Sequence, residues 1–441
     1  MSASIFGEEL GARTQGSRAI YEEAKHVLPG GVAGDGKFMQ PYPLYFRKAH
    51  GAKIVDVDLI MGYGLHILGH SPPPIVEAVR ERLQSGMMPG LATELEVQLA
   101  RKVQEHMPAV DMVRFVNTGS EATLMAIRVA RAYRQRDKIA RFEGNYDGQY
   151  DLVQISGMTT AGPDDAPLPS RDCLGIPASI LQDVLILPYN NTERAVALIT
   201  DQADELAGVL MEPVSVYGLG CVPAEREFMQ AIREVTSKHD IPLIFDEVVT
   251  NFRLGLGGAS GYYGVSPDLV CLGKIVGGGF PIGGYGGRRD LMDRFLTPTV
   301  EGGNKVFQSG TFSGNVISMA AGLAMIRELE KGETYLYIDE LGERMRSGLR
   351  SLAEDLGVQM FVAGLKSLLE VHFGLDNIRN VRDKMRADKA QATHFSQGLL
   401  VNGIYAPSHP LFLSAAHTPQ DVDRTLEVAE KVLREMRHAS G

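Results

Sequence analysis

The sequence predicts an α/β fold in which helices cover both faces of a large, mostly parallel sheet and a smaller α+β domain follows. Between residues 74 and 328, short apolar runs alternate with amphipathic helical stretches, the pattern of strand–helix–strand units. After residue 331 the pattern changes to a long helix, a strand at 368–373 and further helices. Many of the 49 glycines stand at the ends of predicted strands, where tight loops and ligands lie.

The chain is expected to divide into three parts. Residues 1–73 are predicted to pack with the smaller domain, and include a short helix at 18–27 and a Pro/Gly-rich segment at 29–43. The large domain is expected to span residues 74–328 and the C-terminal α+β domain residues 329–441. The predicted strands of the large sheet are 112–116, 138–142, 184–187, 207–211, 241–245 and 269–272, with helices such as 121–135 and 225–239 between them.

The longest irregular segment runs from residue 157 to 182 and contains four prolines. A loop of this length inside a compact domain is often functional, for example as a lid over a site. A surface insertion without a role in the site is the alternative.

Composition excludes several classes of protein. The formal net charge of −10 argues against a nucleic-acid binder, which normally has a basic surface. Three scattered cysteines are too few for a disulfide framework or a zinc cluster. No signal peptide and no apolar stretch near the roughly 20 residues of a membrane span are visible. The expected location is therefore cytoplasmic, with no membrane partner.

Chemically useful residues follow the predicted strands, at the edge where open parallel sheets bind ligands. Gly119 and Ser120 follow 112–116 and begin a helix, which suits a phosphate group. The alternative is that Ser120 or Thr118 only caps that helix. Tyr146 follows 138–142 between two glycines and could stack on a planar ligand, or could belong to an ordinary turn.

A carboxylate and an amine follow two further strands. Asp246 ends a fully apolar run, where a charge is costly unless it has a partner such as a pyridinium nitrogen. Lys274 lies between an apolar strand and a run of glycines, where partial desolvation would lower its pKa and make it a nucleophile. A lysine that extends to solvent is the alternative. Phosphate turn, aromatic ring, carboxylate and amine together are what pyridoxal phosphate requires.

The motifs that carry these residues resemble those of class III, fold-type I pyridoxal-phosphate aminotransferases. Within that family the chain is most similar to glutamate-1-semialdehyde 2,1-aminomutase and related aminotransferases, including β-amino-acid transaminases. The resemblance implies a seven-stranded, mostly parallel sheet, pyridoxal 5′-phosphate as the cofactor, and a homodimer with shared active sites. Its motifs are Asn117-Thr-Gly-Ser-Glu-Ala122, Asp246-Glu-Val248, Pro267-Asp-Leu269, the glycine-rich 272–279 and Gly310-Thr-Phe-Ser-Gly-Asn315.

The resemblance also implies a role for individual residues. Lys274 would carry the cofactor as a Schiff base and move a proton during catalysis, and Asp246 would pair with the ring nitrogen. The remaining cofactor contacts would be Gly119 and Ser120 on the phosphate, Tyr146 and Val248 on the two faces of the ring, and Gly310 and Thr311 reaching the phosphate from the neighbouring subunit.

Several positions depart from the aminomutase pattern. Lys37 stands near the place of an arginine that holds the substrate carboxylate, and lysine lacks the bidentate fork of arginine. Tyr63 stands in place of a tryptophan, and Asp147 in place of a histidine. The stretch 406–414 is apolar and has no carboxylate. These departures predict a rebuilt substrate pocket and a more apolar amino donor.

The sequence leaves three functional hypotheses. The first is transamination between a small amine or amino acid, including a β-amino acid, and an oxo acid. The second is the aminomutase reaction, in which amino and oxo groups exchange within one molecule. A non-catalytic pyridoxal-phosphate-binding regulator is the third, although the residues before the fold do not form a basic DNA-binding module. No metal is expected, because the glycines around His66 and His70 disfavour a helix that would pair them as ligands.

Overall fold

The computed structural model describes residues 10–54, 57–297, 305–406 and 410–440. The helices of this part of the chain are α1 Gln15–Ala24, α2 Pro73–Leu83, α3 Glu94–His106, α4 Gly119–Arg134, α5 Thr192–Asp201, α6 Arg226–Lys238, α7 Gly258–Tyr263, α8 Arg289–Leu296, α9 Val316–Leu329, α10 Glu333–Leu356, α11 Val381–Met385, α12 Lys389–Val401 and α13 Pro419–Ser440. None of these helices is long and apolar enough to cross a membrane.

The strands of the same residues are β1 Val57–Asp58, β2 Met112–Val116, β3 Lys138–Phe142, β4 Val184–Leu187, β5 Leu206–Met211, β6 Val214–Ser215, β7 Val222–Pro223, β8 Leu243–Asp246, β9 Leu269–Gly273, β10 Gly283–Gly287, β11 Met360–Leu365, β12 Leu368–Phe373, β13 Ile404–Tyr405 and β14 Leu411–Phe412. All six strands predicted for the large sheet are present. Their bounds differ from the predicted ones by at most two residues.

The large sheet has seven strands in the order β2-β10-β9-β8-β5-β3-β4. Neighbours among β9, β8, β5, β3 and β4 pair in parallel, and β10 is antiparallel to both β2 and β9. The predicted α/β fold with a mostly parallel sheet is therefore confirmed. Successive residues of one strand enter different cores, as Ile244 and Phe245 do, because helices cover both faces.

Strand β10, whose sequence is Gly-Gly-Tyr-Gly-Gly, was not predicted. This run has no apolar alternation, so nothing in its pattern indicates a strand. Its glycines are required by close packing: a Cβ at Gly283 would overlap the carbonyl oxygen of Thr118, and one at Gly286 would overlap that of Met112. The ring of Tyr285 between them is fully buried and anchors the strand in the core.

A smaller antiparallel sheet, β11-β12-β14, lies with α10, α12 and α13 in the C-terminal part of the chain. The N-terminal segment reaches this region, because β1 pairs in parallel with β13. The helix predicted at 18–27 begins earlier, at Gln15, and ends at Ala24. The proposed domain boundaries at 73 and 328 stay predictions.

The irregular segment 157–182 is held by hydrogen bonds at its start. The carboxylate of Asp172 accepts hydrogen bonds from the N–H groups of Gly157, Met158 and Thr159, each at 2.8 Å. The Arg382 guanidinium on α11 donates to the carbonyl oxygens of residues 161 and 162. The segment is therefore tied to the C-terminal part of the chain, and its role as a lid stays a prediction.

Candidate active site

A cleft of about 480 Å³, part of it open to solvent, lies at the carboxyl ends of the parallel strands. Its walls come from the segments that follow β2, β3, β5, β8 and β9. The lining residues are Gly119, Ser120, Tyr146, Asp147, Gly148, Glu212, Tyr217, Asp246, Val248, Val249 and Lys274. Six residues of a single chain were predicted to contact the cofactor, and all six line this cleft: Gly119, Ser120, Tyr146, Asp246, Val248 and Lys274. Their individual roles stay predictions.

Asp246 is a nearly buried carboxylate at the end of β8, 6% exposed. One of its oxygens accepts a hydrogen bond of 2.9 Å from the backbone N–H of Val248. Burial raises the pKa of the Asp246 carboxyl to about 8, and the nearby charge of Asp147 acts in the same direction. A cationic partner in the cleft would reverse this effect, because an opposite charge favours the ionised carboxylate.

Lys274 follows β9 and begins a short 3₁₀ turn, with a positive φ of 52°. Such a conformation is uncommon for a residue with a side chain and clusters at functional sites. Burial lowers the pKa of the Lys274 amine, and the charges of Asp246 and Glu212 oppose that shift. An amine that loses its proton more easily than an ordinary lysine is a better nucleophile.

The start of α4 provides a site suited to an anion. Thr118 is the N-cap, because its hydroxyl accepts a hydrogen bond of 3.1 Å from the N–H of Glu121. The cap function therefore belongs to Thr118, and the hydroxyl of Ser120 accepts a hydrogen bond of 3.1 Å from the N–H of Gln149. That hydroxyl still has its own hydrogen to donate into the cleft.

Glycine is required at two positions of this corner of the cleft. A Cβ at Gly119 would lie 2.8 Å from both γ-carbons of Val248, and one at Gly148 would lie 2.8 Å from the hydroxyl oxygen of Ser120. Gly148 also has a φ of 125°, which side chains rarely adopt. The helix start therefore approaches the β8 segment more closely than any residue with a side chain would allow.

Glu212 is a second buried carboxylate in the cleft, and no role was predicted for it. One of its oxygens accepts hydrogen bonds from the N–H of Tyr146 at 2.8 Å and from the hydroxyl of Ser215 at 3.1 Å. Burial raises its pKa well above the usual value. Its position after the apolar strand β5 is the same signal that identified Asp246, so the sequence could have indicated it.

Asp147, which replaces the histidine of the aminomutase pattern, forms a buried ion pair with Arg141 at 2.7 Å. The same guanidinium also donates to the carbonyl oxygen of Asn145 at 2.5 Å. Arg141 lies on strand β3, so this pair fixes the loop that carries Tyr146 to the sheet. A buried pair of this kind gives little net stability but costs much when one partner is removed.

The remaining predicted residues lie outside the lining of the cleft. Tyr63 is next to it, with its ring centroid 6.4 Å from that of Tyr217. Lys37 is exposed and is not among the lining residues, so this structure does not bring its amine into the cleft. Gly310 and Thr311 are exposed as well. No lining residue belongs to their segment.

His66 and His70 have contacts typical of packing. The imidazole of His70 lies 2.7 Å from the buried carboxylate of Asp58, and the ring centroids of the two histidines are 4.5 Å apart. Burial lowers the pKa of His66 to about 4, and the neighbouring His70 acts in the same direction. A neutral, half-buried His66 fits a packing role in this glycine-rich turn.

The chemical groups that line the cleft match those that pyridoxal phosphate requires. A helix start with free N–H groups and a hydroxyl suits the phosphate, and a buried carboxylate suits a cationic ring nitrogen. The aromatic side chain of Tyr146 and the aliphatic one of Val248 suit the faces of a flat ring, and an amine suits the aldehyde.

Comparison with known proteins supports the same cofactor. Residues 38–405 match the family Aminotransferase class-III. The chain is 40% identical over 423 residues to a glutamate-1-semialdehyde 2,1-aminomutase from Methanosarcina acetivorans, a match covering 93% of this chain and 96% of the relative.

Two solved structures have the same fold over nearly the whole chain. An omega-transaminase from Sphaerobacter thermophilus superposes with a TM-score of 0.91 at 35% identity, covering 96% of this chain and 98% of that one. A transaminase with PLP bound superposes with a TM-score of 0.87 at 30% identity and the same coverage. The chain therefore belongs to the class-III aminotransferase family and is an enzyme that depends on pyridoxal 5′-phosphate.

Proposed function

We propose that this enzyme is an aminotransferase that moves an amino group between a small amine or amino acid, including a β-amino acid, and an oxo acid. The observation that carries the proposal is the meeting of Lys274 and Asp246 in one cleft, at the ends of adjacent parallel strands. Lys274 is the residue that bonds covalently to the cofactor.

The other lining residues hold the cofactor in place. The backbone N–H of Gly119 and the hydroxyl of Ser120 bind its phosphate, because both residues line the cleft at a helix start. Tyr146 and Val248 pack on the two faces of its ring, and the Asp246 carboxylate pairs with the ring nitrogen. Glu212 keeps Tyr146 in position by accepting the hydrogen bond of its backbone N–H.

When bound, pyridoxal phosphate supplies an electron sink for the charge that develops at the amino-bearing carbon of the substrate. Asp246 supports that function by keeping the ring nitrogen protonated. Lys274 would be the proton carrier, because its free amine could take up and release the proton of the amino-bearing substrate carbon. Burial favours the neutral, proton-accepting form of this amine.

The aminomutase reaction is the second candidate, since a relative with 40% identity is named glutamate-1-semialdehyde 2,1-aminomutase. Two features favour a different donor. Tyr63 replaces the tryptophan of that pattern, and Lys37, in place of its arginine, is exposed and does not line the cleft. The name of the omega-transaminase relative agrees with an intermolecular reaction on amines.

One set of assays separates these candidates. The purified enzyme is loaded with cofactor, reduced with borohydride and digested, and mass spectrometry is expected to locate the cofactor on Lys274. Amines and amino acids are then supplied with an oxo acid, and glutamate-1-semialdehyde is supplied without an acceptor. Turnover only with donor plus acceptor supports the aminotransferase, whereas isomerisation of glutamate-1-semialdehyde alone supports the aminomutase. A protein that binds cofactor but reacts with no donor contradicts both.

We also propose a homodimer in which Gly310 and Thr311 complete the partner's site. Exposed apolar side chains occur on the two neighbouring segments 87–91 and 307–315, which contact each other where the Asn315 amide lies 4.0 Å from the sulfur of Met88. Met87, Leu91, Phe307 and Phe312 are 61%, 76%, 70% and 59% exposed. Such apolar surface usually marks an interface.

Hybrid dimers test this arrangement. Lys274→Ala and Thr311→Arg chains are each expected to be inactive, but mixing them should restore activity, because one site of each hybrid then contains both native residues. Light scattering of the wild-type enzyme is expected to give twice the mass of one chain. A monomeric mass, or no recovery on mixing chains shown to exchange, would contradict the shared site.

We further infer a cytoplasmic location. The three cysteines are all free thiols, and Cys221 and Cys271 are buried in the core. This usage is typical of proteins from reducing compartments. Detection of the full-length protein in the membrane or secreted fraction after cell fractionation would contradict the inference.

A further inference from the structure

Tyr217 lies beside the amine of Lys274, and the reaction described above assigns it no role. Its ring centroid is 5.2 Å from the Lys274 nitrogen and 6.0 Å from the ring centroid of Tyr146, to which it is nearly perpendicular at 71°. It lines the cleft together with these two residues. A substrate whose amino group approaches Lys274 therefore has to pass close to this ring.

The backbone on either side of Tyr217 is held tightly. A Cβ at Gly218 would overlap the carbonyl oxygen of Gly144, so the chain touches the loop after β3 at this point. On the other side, the carbonyl oxygen of Val216 accepts hydrogen bonds of 3.1 Å from the N–H groups of Gly220 and Cys221. The segment therefore cannot move away from the cleft without losing these contacts.

The side chain of Tyr217 is also held at its far end. Its hydroxyl donates a hydrogen bond of 2.7 Å to the carbonyl oxygen of Tyr63. That carbonyl belongs to a turn in which four consecutive residues, 61–64, have positive φ values of 47°, 63°, 59° and 86°. A turn of this kind persists only when its surroundings determine it, so it is a rigid acceptor.

Tyr63 adds a second link on the outer side of the cleft. Its hydroxyl donates to the carbonyl oxygen of Gly36, and its ring lies against that of Tyr217 at a centroid distance of 6.4 Å. Since the hydroxyl of Tyr217 is engaged with Tyr63, ring carbon is what it presents toward Lys274. The two tyrosines thus form a fixed, apolar wall beside the reacting amine.

We propose that Tyr217, held by Tyr63, sets the size limit for the group attached to the amino-bearing carbon of the donor. The preferred donors are amines or amino acids with a short apolar group that packs against the ring, and bulky aromatic groups are excluded. This inference rests on the proposed aminotransferase function. It also agrees with the more apolar amino donor predicted from the departures at Lys37, Tyr63 and 406–414.

The test compares compact and bulky donors in the cofactor-loaded enzyme. Three pairs are offered: alanine with phenylalanine, 3-aminobutanoate with 3-amino-3-phenylpropanoate, and 2-aminobutane with 1-phenylethylamine. The pair used is the one that the wild type turns over. Both kcat/KM and the donor concentration that half-saturates the absorbance change of the bound cofactor are measured. In Tyr217→Ala the bulky-to-compact ratio is expected to rise roughly tenfold or more, because space in an apolar pocket discriminates on that scale.

Two further variants complete the design. Tyr217→Phe keeps the ring but loses the hydrogen bond to the carbonyl oxygen of Tyr63, so its ratio is expected to lie between those of the wild type and Tyr217→Ala. If Tyr217→Ala fails to fold, as judged from Tm, Tyr217→Leu removes part of the ring and should raise the ratio in the same direction. An unchanged ratio in a folded variant that still binds cofactor would overturn the role of Tyr217. A wild type that reacts with no donor of any pair, the β-amino acids included, would instead contradict the proposed function.

Discussion

Asp246 and Lys274 end two adjacent parallel strands and line the same cleft. The two charges influence each other there. Burial raises the pKa of the Asp246 carboxyl, and the charge of Lys274 partly opposes that rise. Burial lowers the pKa of the Lys274 amine, and the charge of Asp246 partly opposes that fall. Neither group keeps the protonation behaviour of its exposed counterpart, which is typical of residues that act in catalysis.

Replacing the lysine tests the central chemical assignment. Lys274→Ala is expected to lower kcat by about 10⁴-fold or more, because it removes both the covalent attachment and the proton carrier. The variant should still bind pyridoxal phosphate, which mass spectrometry after borohydride reduction would find unattached. Lys331→Ala, at an exposed surface pair, is the control and should keep wild-type activity. Near-normal turnover by Lys274→Ala would refute the assignment.

The buried carboxylate should make stability depend on pH in the cofactor-free enzyme. Its pKa rises from 3.8 to about 8 on folding, so the folded state keeps a proton that the unfolded chain has lost. The contribution of Asp246 is therefore most favourable below about pH 4 and decreases as the pH rises to about 8. In Asp246→Asn, Tm should therefore fall less between about pH 4 and pH 8 than it does in the wild type. Parallel Tm profiles for the two proteins would contradict the effect.

Gly119→Ala tests the close contact at the start of α4. The new Cβ would lie 2.8 Å from the γ-carbons of Val248. Either the valine or the helix start has to move, so we expect a loss of about 2 kcal/mol in the free energy of unfolding. Weaker cofactor binding should accompany it. Gly16→Ala in α1, where a Cβ meets nothing within 4 Å, should be neutral or stabilising by up to about 1 kcal/mol. Equal effects of the two substitutions would exclude the steric explanation.

Arg382 tests how the irregular segment is held. Its guanidinium forms a bidentate pair with the buried Glu143 at 2.7 and 2.8 Å and also contacts Asp164 at 2.7 Å. Arg382→Gln leaves the Glu143 carboxylate buried and unpaired, which should cost about 3 kcal/mol of stability. Limited proteolysis should then cut within residues 157–170 faster than in the wild type.

The control for this prediction is an exposed pair of similar geometry. Arg344→Gln removes the contact to Asp423, in which both side chains are about half exposed, and should cost about 1 kcal/mol or less. If Arg382→Gln has no larger effect than Arg344→Gln on stability or on cleavage, the segment is held by other contacts.

Local patterns in the sequence were enough to predict the strands of the large sheet and the ionisable residues at their ends. The apolar runs before Asp246 and Lys274 are local patterns, and each indicates a strand without knowledge of its neighbours. Because parallel strands align their carboxyl ends, residues that follow such runs meet at one edge. This is why the cofactor residues within one chain could be predicted to lie together.

The other residues around that edge could be identified only from the packing of the folded chain. The glycine-rich strand β10 fits into the sheet because its neighbours leave no room for a Cβ at Gly283, Gly286 and Gly287, a condition that its own sequence does not reveal. The hydrogen bonds from Tyr146 to Glu212 and from Tyr217 to Tyr63 join residues far apart in the chain. No local periodicity encodes such contacts, because they depend on how separate elements pack, and they determine the shape of the cleft.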